Sequence, residues 1–184
     1  EGDIFKASPG TNDLRSLPNI VAASGTEGQV NGTTNSWWQS YVLTAGSWNA
    51  GVGRTQLVNA VNTVTKRAPT GIPNVLLSDQ TSYEAYESIT VPQYRFSNNT
   101  PDVGMGKLTF KEIPWLWSVQ GTSGVIYVLS SDGIKFYIDK NTDFLTTPFV
   151  APTNQDAKVS HIFLTACLAA CSRRKLAKTT SNAA

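Results

Sequence analysis

Cysteine and histidine, on which much enzyme and metal chemistry depends, are scarce: the 184 residues include two cysteines and one histidine. The lone His161 excludes a His-rich metal site and lies inside an apolar run, so we interpret it as a core or edge residue. If Cys167 and Cys171 lie on one strand, they are about 13 Å apart, too far for a disulfide bond. We therefore expect two reduced, buried thiols in a protein that folds in a reducing cytoplasm.

Charge is scarce as well. Charged residues make up 15% of the chain, against about 25% in ordinary globular proteins, and the net charge is +2. So small a net charge does not by itself indicate binding to nucleic acid or to an anionic membrane. No apolar run approaches the ~18 residues of a membrane span. Thr, Ser, Asn, Gly and Pro fill the deficit. This composition is typical of strand-and-loop proteins with large neutral surfaces, which suit packing against other subunits.

Motifs for catalysis are also missing. The sequence has no Gly-x-Ser-x-Gly elbow, so a Ser–His–Asp hydrolase has no nucleophile in its usual setting. Residues 104–107 (GMGK) resemble a phosphate loop only superficially, because Pro101 replaces the first glycine and Leu108 follows the lysine. The remaining hypothesis of an enzyme is a cryptic hydrolase around His161. The substitution His161→Ala would test this hypothesis.

Three oxygen-bearing residues, Asp139, Asn141 and Asp143, alternate like the ligands of a calcium loop. Phe144 stands where that loop requires glycine, and no glutamate closes it, so a solvated turn is the better interpretation. We predict no enzymatic activity, no cofactor, and no catalytic, cofactor-binding or metal-binding residues.

Two features leave binding functions open. Residues 172–178 carry four cations with no aromatic residue between them, enough only for weak, salt-sensitive contact with nucleic acid, so we interpret them as a solvated strand end. The five tryptophans could line a carbohydrate-binding platform. Trp115 and Trp117 lie beside Leu116, as core aromatics do, and the pair Trp37–Trp38 is followed by the apolar residues 41–43, as in a loop anchored to a core.

The first part of the chain has little periodicity. Residues 1–53 are crowded with Gly, Asn, Ser and Thr and predict extended loops with one or two short strands, one of them over residues 19–23. The first helix is predicted over residues 56–67, because apolar side chains recur there at helical spacing and Pro69 stops the helix.

The middle of the chain predicts mainly strands. A buried strand is expected over residues 74–77 and a second helix over residues 80–89, ended by Pro92. Four strands follow, over residues 107–111, 115–119, 125–129 and 135–139. Residues 131–133 predict a hairpin turn between the last two strands, since Asp-Gly favours tight turns.

Two apolar patterns close the sequence. In residues 134–139 apolar and polar side chains alternate, which predicts one buried face and one wet face. The nearly uniform apolar run over residues 159–170 predicts a long central strand buried on both faces, with a buried helix as the alternative. Together these elements predict a mixed α+β protein with a mainly antiparallel sheet and two short helices.

Four segments, in this order, carry a resemblance to a known family. Residues 33–40 (TTNSWWQS) hold a double-tryptophan element, and residues 72–96 hold a strand, a Tyr-Glu-Ala-Tyr-Glu helix and a Pro-Gln-x-Arg turn. Residues 106–117 match a Phe-Lys-Gly-x-Pro-Val strand, with Glu and Ile where Gly and Ala or Thr are usual. Residues 147–174 hold Phe-Val-x-Pro-x-Asn-Gln-Asp-Ala-x-Val, a long strand and a closing Ser-Arg-Arg. They resemble the major capsid proteins of tailed bacteriophages, which have the Hong Kong 97-type fold.

The resemblance implies a two-lobed subunit whose axial lobe points toward the centre of each capsomer. On this basis residues 1–53 are a loop-rich part of the peripheral lobe, residues 54–158 the axial lobe, and residues 159–184 a long closing strand with a basic tail. The family also implies an N-terminal arm, an extended β-hairpin loop and a spine helix, which no segment here resembles. We expect a long amphipathic helix to end just before Glu1.

The implied function is structural. The resemblance implies a subunit that self-assembles into hexamers and pentamers and forms an icosahedral shell around double-stranded DNA, which it contacts weakly and non-specifically. It implies scaffold, portal or decoration proteins as further partners, no membrane, and a location in the virion after assembly in the bacterial host cytoplasm. Two alternatives stay open: a carbohydrate-binding β module, and a shell-forming encapsulating protein that carries enzyme cargo.

Overall fold

A computed structural model describes residues 2–10, 13–44, 52–94, 108–151, 153 and 156–180. The helices in this part of the chain are α1 (Gly2–Phe5), α2 (Leu17–Ile20), α3 (Val52–Arg67) and α4 (Gln80–Tyr94). The strands are β1 (Thr26–Glu27), β2 (Val30–Asn31), β3 (Tyr41–Thr44), β4 (Val75–Ser78), β5 (Thr109–Phe110), β6 (Ile113–Trp117), β7 (Ile126–Leu129), β8 (Ile134–Ile138), β9 (Leu145–Thr146), β10 (Ile162–Phe163), β11 (Ala166–Ala170) and β12 (Ala177–Thr180). Short 3-10 turns lie at Ser36–Trp38, Ser131–Gly133 and Arg173–Lys175. None of the helices described is both long enough and apolar enough to cross a bilayer.

Six strands form the central sheet in the order β3-β12-β7-β4-β6-β5. β7 pairs antiparallel with β4 and with β12, while β4 pairs parallel with β6 and β12 parallel with β3. The side chains of Ile126, Tyr127 and Val128 in β7 are buried on alternate sides, because both faces of the sheet are covered. The mixed α+β class with a mostly antiparallel sheet is therefore confirmed.

Helices α3 and α4 cover one face of this sheet. The buried apolar side chains of α3 recur at helical spacing, as the sequence predicts: Leu57, Ala60, Val61 and Val64. From α4, Tyr86 stacks on Trp115 of β6 with ring centroids 4.7 Å apart. Trp115 Nε1 also donates a hydrogen bond to Ser78 Oγ at 2.8 Å. The pair anchors α4 to the middle of the sheet.

The N-terminal segment covers the opposite face. Its apolar side chains pack with Tyr127 and Leu176 in a second core cluster: Phe5, Leu17, Ile20 and Val21. The strand predicted over residues 19–23 is wrong, since Asn19 and Ile20 end the helix α2. Pro18 lies in the first turn of α2, where its fixed φ favours the helix and its missing N–H removes no hydrogen bond.

The predicted elements in the middle of the chain are present with shifted ends. α3 begins at Val52 instead of residue 56, and β4 ends at Ser78 instead of residue 77. α4 continues to Tyr94, so the prediction that Pro92 ends it is wrong. Proline disturbs the turn before it and removes one hydrogen bond, and here the helix ends two residues later. The four strands predicted after the helix correspond to β5, β6, β7 and β8, with residue 107 outside the described residues.

Residues 131–133 form a turn as predicted, but the strands on its two sides do not pair with each other as a hairpin. The 3-10 turn Ser131–Gly133 leads from β7 in the central sheet to β8, whose partner is β11. The carbonyl oxygen of Gly133 accepts hydrogen bonds from the N–H groups of Cys171 and Ser172, which brings β8 against the returning strand. A Cβ at Gly133 would lie 3.0 Å from Leu176 Cδ2, so this close approach favours glycine.

The turn between β5 and β6 is strained. Its two residues, Lys111 and Glu112, have φ angles of 50° and 65°, which glycine adopts at much lower cost. Lys111 Nζ donates a hydrogen bond to Asn62 Oδ1 at 2.6 Å, which links this turn to α3.

Glu112→Gly should raise the free energy of unfolding by about 0.5–1 kcal/mol, because it relieves the left-handed backbone and leaves the Lys111 hydrogen bond in place. Urea denaturation measures the change. Glu112→Ala is the control and should give no gain, since alanine keeps the Cβ. A loss of stability in the glycine variant would contradict the assignment of strain to this turn.

Candidate interaction surface

The largest concentration of exposed hydrophobic side chains in the described residues lies on a two-stranded ribbon outside the central sheet. We use the name "ribbon" for residues 134–170, of which residues 134–151, 153 and 156–170 are described. β8 and β11 pair antiparallel from Ile134↔Ala170 to Ile138↔Ala166. The pairing resumes between β9 and β10 and ends at the bridge Val150↔Val159. The chain thus runs out along one strand and returns along the other.

A bulge interrupts the ribbon. Residues 139–144 lie opposite residues 164–165 alone, because Ile138 pairs with Ala166 and Leu145 with Phe163. The bulge is held by Asp139, whose carboxylate accepts hydrogen bonds from the Asn141 N–H at 3.3 Å and from the Thr142 hydroxyl at 3.1 Å. The segment with calcium-like spacing is therefore a hydrogen-bonded turn. Within the described residues, no group of three or more His, Cys, Asp or Glu side chains could hold a metal ion.

The ribbon is unusually apolar for an exposed segment. Seventeen large hydrophobic side chains are exposed among the described residues, and the ribbon holds eleven of them. The eleven are Phe136, Tyr137, Ile138, Phe144, Leu145, Phe149, Val150, Val159, Ile162, Phe163 and Leu164. At about 150–200 Å² for each large side chain, they expose on the order of 1,000 Å². Monomeric proteins rarely expose apolar patches of more than a few hundred Å².

The two faces of the β8–β11 part differ in chemistry. Side chains directly opposite each other in an antiparallel pair lie on the same face. One face, which we name the apolar face, carries Ile134, Phe136, Ile138, Ala166, Leu168 and Ala170. The other, which we name the mixed face, carries Lys135, Tyr137, Cys167 and Ala169. The alternation predicted from the sequence is present, but the expected burial of one face is not.

The position of the core explains this difference. Ile134, Leu168 and Ala170, at the root of the ribbon, pack against the cluster around Tyr127. Further out on the same face, Phe136 is 52% exposed and Ile138 is 45% exposed, because no part of the described chain lies over them. The apolar face therefore starts in the core and continues into solvent.

The predicted long, buried strand over residues 159–170 is wrong as well. The segment contains β10 and β11, and its residues from Val159 to Thr165 are exposed except for Ser160. Each of the two strands has a single partner. The apolar composition of this segment reflects the ribbon's exposed surface, which sequence periodicity cannot distinguish from a strand buried on both faces.

Both cysteines and the histidine lie in or beside the ribbon. Cys167 and Cys171 form no disulfide bond, and both are exposed, so the prediction that the two thiols are buried is wrong. The N–H of His161 donates a hydrogen bond to Thr147 Oγ1 at 2.9 Å, and its ring is 6.1 Å from the ring of Phe163. His161 is therefore an exposed residue of the ribbon and does not lie in the core.

Arg173 holds the root of the ribbon to the N-terminal segment. Its side chain is fully buried and donates hydrogen bonds to five backbone carbonyl groups: Asn19, Ile20, Ala22, Ser24 and Gly25. The shortest, from Nη2 to the Ala22 carbonyl oxygen, is 2.6 Å. A Cβ at Gly32 would lie 3.1 Å from Nη1, so glycine there leaves room for the guanidinium group. The planar fork of arginine suits a cluster of carbonyl groups that a lysine could not satisfy together.

One carboxylate and one further cation act on this buried guanidinium group. Burial lowers the pKa of Arg173, while the carboxylate of Glu27 raises it and Arg15 lowers it. Glu27 itself forms an ion pair with Arg15 at 2.5 Å. The prediction of a solvated strand end at residues 172–178 is therefore wrong for Arg173, while Arg174 is exposed.

Lys178 of β12 shares this environment. Its Nζ donates a hydrogen bond to the Pro18 carbonyl oxygen at 3.4 Å. Burial lowers the pKa of Lys178, and the nearby charge of Arg173 lowers it further. These two basic residues are engaged with the protein's own backbone, which leaves little of the predicted basic tail for nucleic acid.

The tryptophans do not form a binding platform in the described structure. Trp115 is buried and stacks on Tyr86, and Trp117 is 6.5 Å from the ring of Tyr83. Trp37 is 54% exposed and meets Trp38 edge to face at 5.9 Å. The phosphate-loop-like residues 104–107 lie outside the described residues.

Comparison with known proteins shows a likeness in fold. No protein-family model and no curated protein matches the chain. Among solved structures, the fold is similar to "Cyanophage A-1(L) capsid asymmetric unit", with a TM-score of 0.63 and 13% sequence identity over 92% of this chain. The match spans 60% of the neighbour's chain. At this identity the likeness concerns the fold: the chain resembles a phage capsid fold.

Proposed function

We propose that this chain is a structural subunit of an icosahedral phage capsid of the Hong Kong 97 type, which assembles into hexamers and pentamers around double-stranded DNA. The observation that carries the proposal is the similarity of the fold to a cyanophage capsid asymmetric unit over 92% of the chain. The segment order described in the sequence supports it independently. A subunit with this role acts in the virion, is assembled in the host cytoplasm and has no catalytic site.

The exposed ribbon adds a physical argument. A standard protein interface buries about 800 Å² on each partner, and the exposed apolar side chains of the ribbon, summed over its whole length and both faces, offer an area of that order. Shells are held together by many modest contacts repeated by symmetry, so each subunit needs surfaces of this kind. The division into peripheral part (1–53), axial lobe (54–158) and closing segment (159–184) stays part of the proposal.

The full-length gene product, expressed alone, should form closed particles of uniform size. Negative-stain electron microscopy would reveal them, and sedimentation would give the fraction of assembled subunits. A product that stays monomeric at every concentration and ionic strength tested would contradict the proposal. Particles that enclose a specific enzyme instead of nucleic acid would favour the encapsulating-shell alternative, while monomers that bind glycans would favour the carbohydrate module.

A further inference from the structure

We propose that the apolar face of the ribbon docks onto a second copy of this chain and that the mixed face stays in contact with solvent. The inference rests on the proposed function, because it names the surface and the partner through which subunits would associate. It goes further by dividing one pair of strands into a buried and an exposed side.

The first argument is the composition of the two faces. All six residues of the apolar face in β8 and β11 are Ile, Phe, Leu or Ala, and none carries a polar side-chain atom. The mixed face carries the charged Lys135 and the hydroxyl of Tyr137. Burying Lys135 without a partner would cost free energy, whereas covering the half-exposed side chains of Phe136 and Ile138 would remove apolar surface from water and favour association.

The second argument is continuity with the core. The inner part of the apolar face already packs against the cluster around Tyr127 and Leu176. Phe136 lies opposite Leu168, which packs against this cluster, and Ile138 lies one row of side chains further out. A partner that docks here adds a layer to an existing core, so it meets side chains whose positions are partly fixed and loses little conformational entropy.

The third argument identifies the partner as a second copy. The ribbon carries three lysines and three aspartates and so has no net charge. A polyanion such as DNA gains nothing there, and two copies do not repel each other. Elsewhere in the described residues, six large hydrophobic side chains are exposed, so the ribbon of another copy is the richest apolar surface that this chain itself offers.

Two alanines of β11 make a matched pair for the test. Ala166 lies opposite Ile138 on the apolar face, and Ala169 lies opposite Lys135 on the mixed face, and both are partly buried. In a full-length background with Cys167→Ser and Cys171→Ser, Ala166→Cys and Ala169→Cys each give a single thiol in the ribbon. The rate of maleimide labelling is measured in dissociated subunits and in assembled particles.

Assembly should slow the labelling of Ala166→Cys by at least about tenfold, because modification then waits for the contact to open. Labelling of Ala169→Cys should change less than about twofold. Equal rates for both variants in particles would overturn the inference while leaving the proposed function intact. Protection of Ala166→Cys already in the dissociated subunit would also overturn it, since the face would then be covered by its own chain.

A second readout needs no new residue in the ribbon. With Cys171→Ser as the only change, Cys167 on the mixed face should label at nearly the same rate in subunits and in particles. Protection of Cys167 on assembly would show that the wrong face is buried and would overturn the inference. If the unaltered full-length protein forms no particles, the proposed function fails, and this inference fails with it.

Discussion

Arg173→Ala should lower the free energy of unfolding by about 3–5 kcal/mol, the largest loss that we expect from a single substitution in this chain. The buried guanidinium group donates to five backbone carbonyl groups, and alanine would remove all five hydrogen bonds and leave a cavity. The carbonyl groups of Ile20, Ala22 and Gly25 would each keep a second donor, from Ser40 or Gly32. Arg173→Lys should recover only part of the loss, because three donors on one atom cannot reach carbonyl groups spread across this segment. Urea denaturation monitored by tryptophan fluorescence measures these changes.

Arg174 supplies the matched control. It is the next residue, carries the same charge and is exposed, so Arg174→Ala should change the stability by no more than about 0.5 kcal/mol. Similar losses for the two variants would show that charge near this turn matters more than the carbonyl contacts. The order Arg173→Ala, Arg173→Lys, Arg174→Ala, from most to least destabilised, is the result that the geometry requires.

Phe136→Asp should prevent assembly of the full-length protein without unfolding the subunit. A carboxylate buried without a partner in an apolar contact costs about 3 kcal/mol, which raises the subunit concentration needed for each contact by roughly a hundredfold. Because Phe136 is 52% exposed in the single chain, the fold should lose little stability. Sedimentation and electron microscopy give the assembled fraction, and circular dichroism confirms that the variant is folded.

Tyr137→Asp is the control for this experiment. Tyr137 is the neighbouring aromatic residue and is 54% exposed, but its side chain lies on the mixed face. Its replacement should leave assembly nearly unchanged. Equal loss of assembly in both variants would indicate that the whole ribbon is sensitive, and normal assembly of Phe136→Asp would remove the apolar face from the contact.

Much of the fold could be predicted because local patterns and tertiary packing agree. The apolar stripe of α3 and the flanking Pro69 define a helix, and the core lies against that stripe. Trp115 beside aliphatic neighbours predicts a core aromatic, and it stacks on Tyr86. In each case a side chain that looks suited to burial meets the protein's own interior.

The predictions failed where the outcome depended on partners distant in sequence. Arg173 in a basic run looks like a solvated residue, and no local signal indicates that the carbonyl groups of residues 19–25 surround it. The prediction that one face of the ribbon is buried failed for a related reason. Alternation in β8 identifies the side chains that share a face, but it does not tell whether the same chain or another covers that face.

The position of β12 has a consequence for synthesis on the ribosome. The ribbon, residues 134–170, is translated before residues 177–180, yet β12 must insert between β3 and β7 to complete the central sheet. Until β12 is in place, one edge of β7 has no hydrogen-bonding partner, while the apolar side chains of the ribbon have already been synthesised. Unpaired edges and exposed apolar side chains favour wrong pairing between nascent chains. Only residues 171–176 separate β11 from β12, and synthesis adds about 5–20 residues per second, so β12 can close this edge very soon after the ribbon has been synthesised. The order of the strands along the chain therefore keeps the period in which wrong pairing is possible short.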